Sequence, residues 1–216
     1  MPVVPTEALK PRKTPRQARS AATVAAIFEA TIQVLLVDGY AGLTTTRVAA
    51  RAGVSVGTMY QYFPHRNALL YAVLEAYLED VIAVLHAAAS RLRDAPLAEI
   101  AEGLAAAYLE AKVDGMPGTR ALYVVAAELE TAALVTDIVC RAERILADLL
   151  RGVPDARFDD PDRIARAWRI LLTGAVQVVL EKDASTENVE LLRRELPAVC
   201  RAYLLASSVR PGSSPA

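Results

Sequence analysis

Apolar residues recur at helical spacing along almost the whole chain, and the pattern predicts an all-α protein of about nine helices. Val24, Ile27, Phe28, Thr31 and Leu35 form the first series, which Thr14-Pro15-Arg16-Gln17 opens as a capping box and Gly39 closes. Residues 1–13 lack periodicity, contain three prolines and are expected to form a flexible basic arm. A long fourth helix is expected from about His65 to Arg93, on an apolar series that includes Leu69, Val73, Tyr77, Val81 and Leu85. Beyond Pro96 a helix follows over Leu97–Lys112, with Ile100, Leu104 and Tyr108, and Gly115-Met116-Pro117-Gly118 breaks the chain after it. Arg120–Glu130 and Ala132–Leu150 are the next two apolar series, the second ending near Gly152. Asp160-Pro161-Asp162 supplies a cap, a first-turn proline and an acid at the positive dipole end for an eighth helix reaching about Lys182. A ninth runs from about Glu187 to Ser207, where Pro197 is expected to kink it. Residues 208–216 are expected to be a disordered tail.

Between the first and fourth helices the pattern changes to two short units in Leu43–Arg66. Thr44 is placed to cap the first of these, with Leu43 and Val48 flanking it as a hydrophobic staple. Ser55 caps the second, stapled by Val54 and Met59. Gly53 sits between them, where a left-handed backbone ends a helix without a Cβ penalty. Two helices joined by a few residues containing glycine are the signature of a helix-turn-helix, whose second helix enters the DNA major groove. A hairpin of two core helices has the same spacing, but Ser55–Phe63 carries Val56, Gly57, Thr58 and Gln61 with few apolar anchors, so much of it faces outward. Pro64 stops that helix, because the residue before a proline is pushed from helical angles. The expected organisation is therefore a DNA-binding head over 14–64 and a helical body over 65–207.

Composition narrows the class. The 216 residues are 54% hydrophobic and only 6% aromatic, with glycine and proline gathered at junctions, as suits helices. No run of about 18 uncharged apolar residues appears, and the first residues do not read as a secretory signal, so no membrane partner and a cytoplasmic location are expected. Cys140 and Cys200 lie far apart on separate predicted helices and read as buried free thiols; no disulfide, metal or cofactor is expected. The formal charge of −1 hides a division: through Arg66 there are eight basic residues against Glu7, Glu29 and Asp38, a net of +5, which leaves −6 for the rest. A positive head on an acidic body suits phosphate contact by the head alone.

Enzyme motifs are missing: there is no glycine-rich phosphate loop, no metal-binding histidine pair and no nucleophile elbow, and His65 and His86 are isolated. A helical protein-interaction module and a ligand-independent DNA-binding protein remain as alternatives. For DNA, Tyr60, Tyr62, Arg66 and the hydroxyls of Thr44 and Ser55 are placed for phosphates; the arm residues Lys10, Arg12 and Lys13 are further candidates. Val56, Gly57, Thr58 and Gln61, with Thr46 and Arg47 nearby, are placed for base edges and groove walls. Phe63 reads as core, and Tyr60 is open between a core and a phosphate position.

These residues carry a resemblance. Ile27-Phe28-Glu29-Ala30, Asp38-Gly39-Tyr40, Thr44, Val48-Ala49, Ala52-Gly53-Val54-Ser55, Thr58-Met59-Tyr60, Tyr62-Phe63, Arg66 and Leu69-Leu70 resemble the TetR family of bacterial transcriptional regulators over roughly a quarter of the chain. The chain departs from the family habit at His65, where a small capping residue is usual, and at Arg66, where lysine is usual. The resemblance implies a homodimer joined through the last two helices, a near-palindromic double-stranded operator, and release by a small hydrophobic or amphipathic effector bound in the body. Tyr108, Met116, Tyr123, Glu128, Trp168 and Gln177 are candidate effector residues, although each also fits an ordinary core or surface position.

Overall fold

The computed structural model describes residues 18–113 and 118–209. Within them the chain forms nine helices: α1 Ala18–Gly42, α2 Thr45–Arg51, α3 Val56–Tyr62, α4 Arg66–Arg91, α5 Leu97–Val113, α6 Thr119–Glu128, α7 Ala132–Arg151, α8 Pro161–Lys182 and α9 Thr186–Ser207. The all-α expectation is met among the described residues. The expected arm, the capping box at Thr14, the candidate Met116 and residues 210–216 lie outside them. Residues 18–78 with 118–135 form one compact unit, and 79–113 with 136–209 form a second.

In the first unit α1 supplies the floor. Ile27, Ala30, Val34 and Leu35 are buried, and the buried Thr31 hydroxyl donates to the Ile27 carbonyl at 2.7 Å, which lets a polar residue sit in the apolar series. By length and composition α1 is long and apolar enough to cross a membrane, reaching a mean hydropathy of 1.8 within Ser20–Gly42. Glu29 and Asp38 interrupt it, and its apolar face is the core of this unit. Leu43, Val48, Met59 and Phe63 close over that face, and the Phe28 and Phe63 rings lie 5.9 Å apart. α2 and α3 have seven residues each, too short to persist alone, so this packing holds them. At the start of α6, Gly118 has φ 83°, and a Cβ there would meet Ile32 Cγ2 at 2.6 Å. Nearby, the buried Tyr77 hydroxyl donates to Thr119 Oγ1 at 3.1 Å.

The second unit is built on α5, α8 and α9, which pack on one another. Ile164, Trp168, Leu172 and Val176 of α8, Leu196, Cys200 and Leu204 of α9, and Ile100 and Leu104 of α5 are its core. The α7–α8 connection is tied to this core by Asp155, whose carboxylate accepts from the Leu97 backbone N–H at 2.9 Å and so caps α5. Asp160 caps α8 by accepting from the Arg163 N–H at 2.9 Å, with Pro161 in the first turn as expected.

α9 begins at Thr186 with Ser185 as its cap and runs to Ser207, close to the expected bounds, with Pro197 inside it. Two expectations need correction. The tail does not start at 208: Val209 exchanges two backbone hydrogen bonds with Arg157, at 2.9 and 3.3 Å. Of the two free cysteines only Cys200 is buried; Cys140 lies on the exposed side of α7.

Candidate nucleic-acid interface

The two short helices form as their caps dictate. Thr44 Oγ1 accepts from the Arg47 N–H at 3.2 Å and Ser55 Oγ from the Thr58 N–H at 2.9 Å, each taking one orphan donor of a first turn. Leu43 and Val48, the first staple, are buried. Gly53 has φ 67°, and the Val54 N–H reaches back to the Ala49 carbonyl at 3.0 Å, which closes α2 and turns the chain into α3.

Met59 is the one buried residue of α3, so the helix is pinned along a single line and presents the rest of its surface outward. Val56, Gly57, Tyr60 and Gln61 are exposed; Thr58 and Tyr62 are half-buried; Thr44, Thr46, Arg47 and Ser55 are exposed beside them. The expected DNA-facing residues of α3 are thus all exposed or half-buried. Gly57 has no internal reason to be glycine, since a Cβ there would meet only Ser55 Oγ at 3.7 Å. Tyr60 is 45% exposed, and its hydroxyl lies 3.3 Å from Thr45 Oγ1, tying α3 to α2.

Two arginines are placed differently from expectation. Arg47 sits on the right surface, but its guanidinium reaches the Gly42 carbonyl at 3.0 Å and Asp38 Oδ2 at 3.2 Å. Arg66 was expected to reach outward to phosphate; its guanidinium instead lies 4.1 Å over the Tyr40 ring and donates to the Tyr40 carbonyl. The spacing of 26 residues hid this pairing from a local reading. His65 fills the usual small residue's role, its Nδ1 accepting from the Ala68 N–H at 3.1 Å to cap α4. Thr45, Tyr40 and His65 are therefore working residues that sequence periodicity did not single out.

The effector candidates fare less well. Tyr108 and Trp168 are core residues of the second unit. The Trp168 indole N–H has no oxygen or nitrogen acceptor among the described residues; the Cys200 thiol beside it is a weak one, and burial pushes that thiol up to about 11. Gln177 is a surface residue whose amide donates to Glu181 at 2.6 Å, because the helical period turns it away from the buried Val176. Glu128 is likewise exposed, and Tyr123 is half-buried, both in the first unit. A half-open cleft of about 400 Å³ in the second unit is lined by His86, Ser90, Arg93, Ile145, Asp148 and Leu149 among others, and by none of the five candidates among the described residues. A buried cation was overlooked: Lys112 Nζ lies 5.7 Å from the Tyr108 ring centre, and burial pulls its pKa down to about 8.

Comparison with known proteins gives one consistent result. Residues 27–73 match the family described as bacterial regulatory proteins, tetR family, and residues 96–204 match the tetracyclin repressor-like C-terminal domain. No curated protein matches the chain. Among solved structures, a putative TetR-family transcriptional regulator from Mesorhizobium loti MAFF303099 is similar with a TM-score of 0.70 at 19% identity, over 89% of this chain and 100% of that one. SmeT, the repressor of the Stenotrophomonas maltophilia multidrug efflux pump SmeDEF, is similar with a TM-score of 0.66 at 19% identity, over 90% and 98%. A TetR-family transcriptional regulator from Streptomyces coelicolor has a TM-score of 0.60 at 21% identity, over 86% and 99%.

Proposed function

The chain belongs to the TetR family of bacterial regulatory proteins, which are DNA-binding regulators and not enzymes, and on that premise we propose that it is a repressor. It binds a near-palindromic operator as a homodimer and is released by a small hydrophobic or amphipathic effector. The observation that carries the reading is the outward surface of α3, whose one buried residue is Met59, flanked by the hydroxyls of Thr44, Thr46 and Ser55. Gln61 suits the bidentate pattern of adenine, and the Val56 and Thr58 methyl groups suit a thymine methyl. Gly57 lets the groove edge approach the backbone, and Tyr60, Tyr62 and the cap hydroxyls face phosphates. SmeT is a repressor of this fold, and repression is the polarity proposed here.

Support for the dimer comes from α8 and α9. Ile170 and Val178 on α8, and Leu191, Val199 and Leu205 on α9, are large apolar side chains left exposed in the protomer. Between the two α8 residues, a Cβ added at Gly174 would meet nothing within 4 Å, so the stripe has room for a close helix-helix approach. A two-fold copy that covers these stripes makes a self-complementary, isologous interface.

Selection of bound fragments from random DNA, followed by titration at several salt concentrations, tests the reading. The expected result is an enriched inverted repeat whose binding constant falls linearly with salt on logarithmic axes. Recovery of no preferred sequence, or binding indifferent to salt, overturns it.

A further inference from the structure

The end of α1 is an unusual piece of backbone. Gly39 has φ 69° and ψ 179°, a conformation that only glycine adopts readily, and it turns the chain sharply before the last residues of the helix. Three residues on, Gly42 is also required, since a Cβ there would lie 2.8 Å from Asp38 Cβ. The result is a tight corner, Asp38-Gly39-Tyr40-Ala41-Gly42, whose Tyr40 and Gly42 carbonyls accept from arginine side chains.

Both arginines that local spacing assigned to DNA are bonded to this corner. Arg47 brings α2 onto it through the Gly42 carbonyl and Asp38. Arg66, the first residue of α4, brings α4 onto it through the Tyr40 carbonyl and the Tyr40 ring. Arg66 Nε is buried without an acceptor among the described residues. A side chain extended towards a phosphate keeps that N–H in solvent; here the guanidinium is folded inward and stacked. Stacking on an aromatic face combined with a charged hydrogen bond is what a planar guanidinium does well.

We infer that the Asp38–Gly42 corner is the anchor that orients α1, α2 and α3 on the start of α4, with Arg66 as a positioning residue held there and not as a contact to the DNA backbone. The inference rests on the reading of this head as an operator-binding one. Loosening the anchor lets the head rotate on α4, so recognition loses its sharpness for half-site spacing. Loss of a phosphate contact weakens binding to every duplex alike.

The experiment uses the full chain with Arg66→Met, Tyr40→Leu and the double substitution. Binding is measured to the selected operator and to one with its half-sites moved a base pair apart, across a salt series, alongside thermal unfolding of each protein. Arg66→Met, which removes both the ring contact and the charged hydrogen bond, is expected to weaken operator binding by about tenfold or more, and Tyr40→Leu, which removes the ring and leaves the carbonyl, by less. The discrimination between the two spacings shrinks, the salt slope is unchanged, and the double substitution is no worse than the more severe single one. A salt slope that drops by about 0.9 per subunit in Arg66→Met alone, with spacing preference intact, overturns the inference in favour of a phosphate contact. Additive effects of the two substitutions on unfolding overturn it as well, since independent groups add. If the parent itself shows no salt-dependent binding, the operator reading falls, and the unfolding cycle still decides whether Arg66 and Tyr40 act as one unit.

Discussion

Lys112 lies in the last turn of α5 as a cation that is only 5% exposed. Burial pulls its pKa from 10.5 down to about 8. Below pH 8 the folded and unfolded chains both hold the proton, so this group adds no slope to stability there. Between about pH 8 and 10.5 the unfolded chain binds more protons, and stability rises with pH by up to about 1.4 kcal/mol per unit. Cys200, pushed from 9.0 up to about 11, works in the opposite sense from pH 9, because the unfolded thiol ionises first. Tyr77, raised to about 12, does the same from pH 10. The lysine's rise therefore stands alone between pH 8 and 9. Lys112→Met is expected to lack that rise, since it puts no titrating group at this buried position. Denaturant unfolding of both proteins at pH 7, 8 and 9 reads it; parallel profiles would mean that the buried charge costs nothing. Gly57 gives a second test. Gly57→Ala is expected to stabilise α3 by up to about 1 kcal/mol and yet weaken operator binding, moving unfolding and gel-shift measurements in opposite directions. Groups with short-range tasks were legible from sequence: Thr44, Ser55 and Asp160 cap helices through N–H groups three residues away. Arg66 was not, because its partner Tyr40 is 26 residues back and the choice between ring and phosphate is made by the tertiary corner.

Helix positions were legible because one apolar stripe per helix is enough to mark it, and the observed ends differ from the expected ones by only a few residues. Pro197 lies within α9 and does not end it. A proline removes one ladder hydrogen bond and crowds one turn, while Val189, Leu192, Leu196, Cys200 and Leu204 bury the same face of α9 on both sides of it. That continuous packing outweighs the local break. Away from that buried face, α8 and α9 leave Ile170, Val178, Leu191, Val199 and Leu205 exposed in the protomer. Val178→Asp with Leu205→Asp is expected to turn the proposed dimer into a monomer while leaving protomer unfolding nearly unchanged, because neither side chain is buried within the protomer. Sedimentation velocity measures the first effect and circular dichroism on heating the second. A dimer that survives both charges places the interface elsewhere.

The head through Arg66 carries a net +5 against −6 for the remainder, so association with DNA is driven by one end of the chain and opposed by the rest. That asymmetry was plain from sequence. The effector site was not, since its candidates were chosen as aromatic or polar residues on apolar helices, a description that Trp168 meets as core and Gln177 as surface. A cavity depends on what is missing between helices, which residue periodicity does not encode. Coupling nonetheless has a signature that needs no knowledge of the site. If one ligand shifts the protein between an operator-binding and a released state, its effect on operator affinity must equal the operator's effect on ligand affinity. Compounds that raise the unfolding temperature are the natural starting set, because a ligand bound to the folded chain stabilises it by mass action. For a true effector, operator affinity measured with saturating ligand is expected to fall about 5- to 150-fold, and ligand affinity measured on the operator complex to fall by the same factor. A compound that binds tightly but leaves operator affinity unchanged has equal affinity for both states and is a bystander. If every stabilising compound behaves that way, release by an effector is removed from the proposed function, and the chain is a regulator governed by its own concentration.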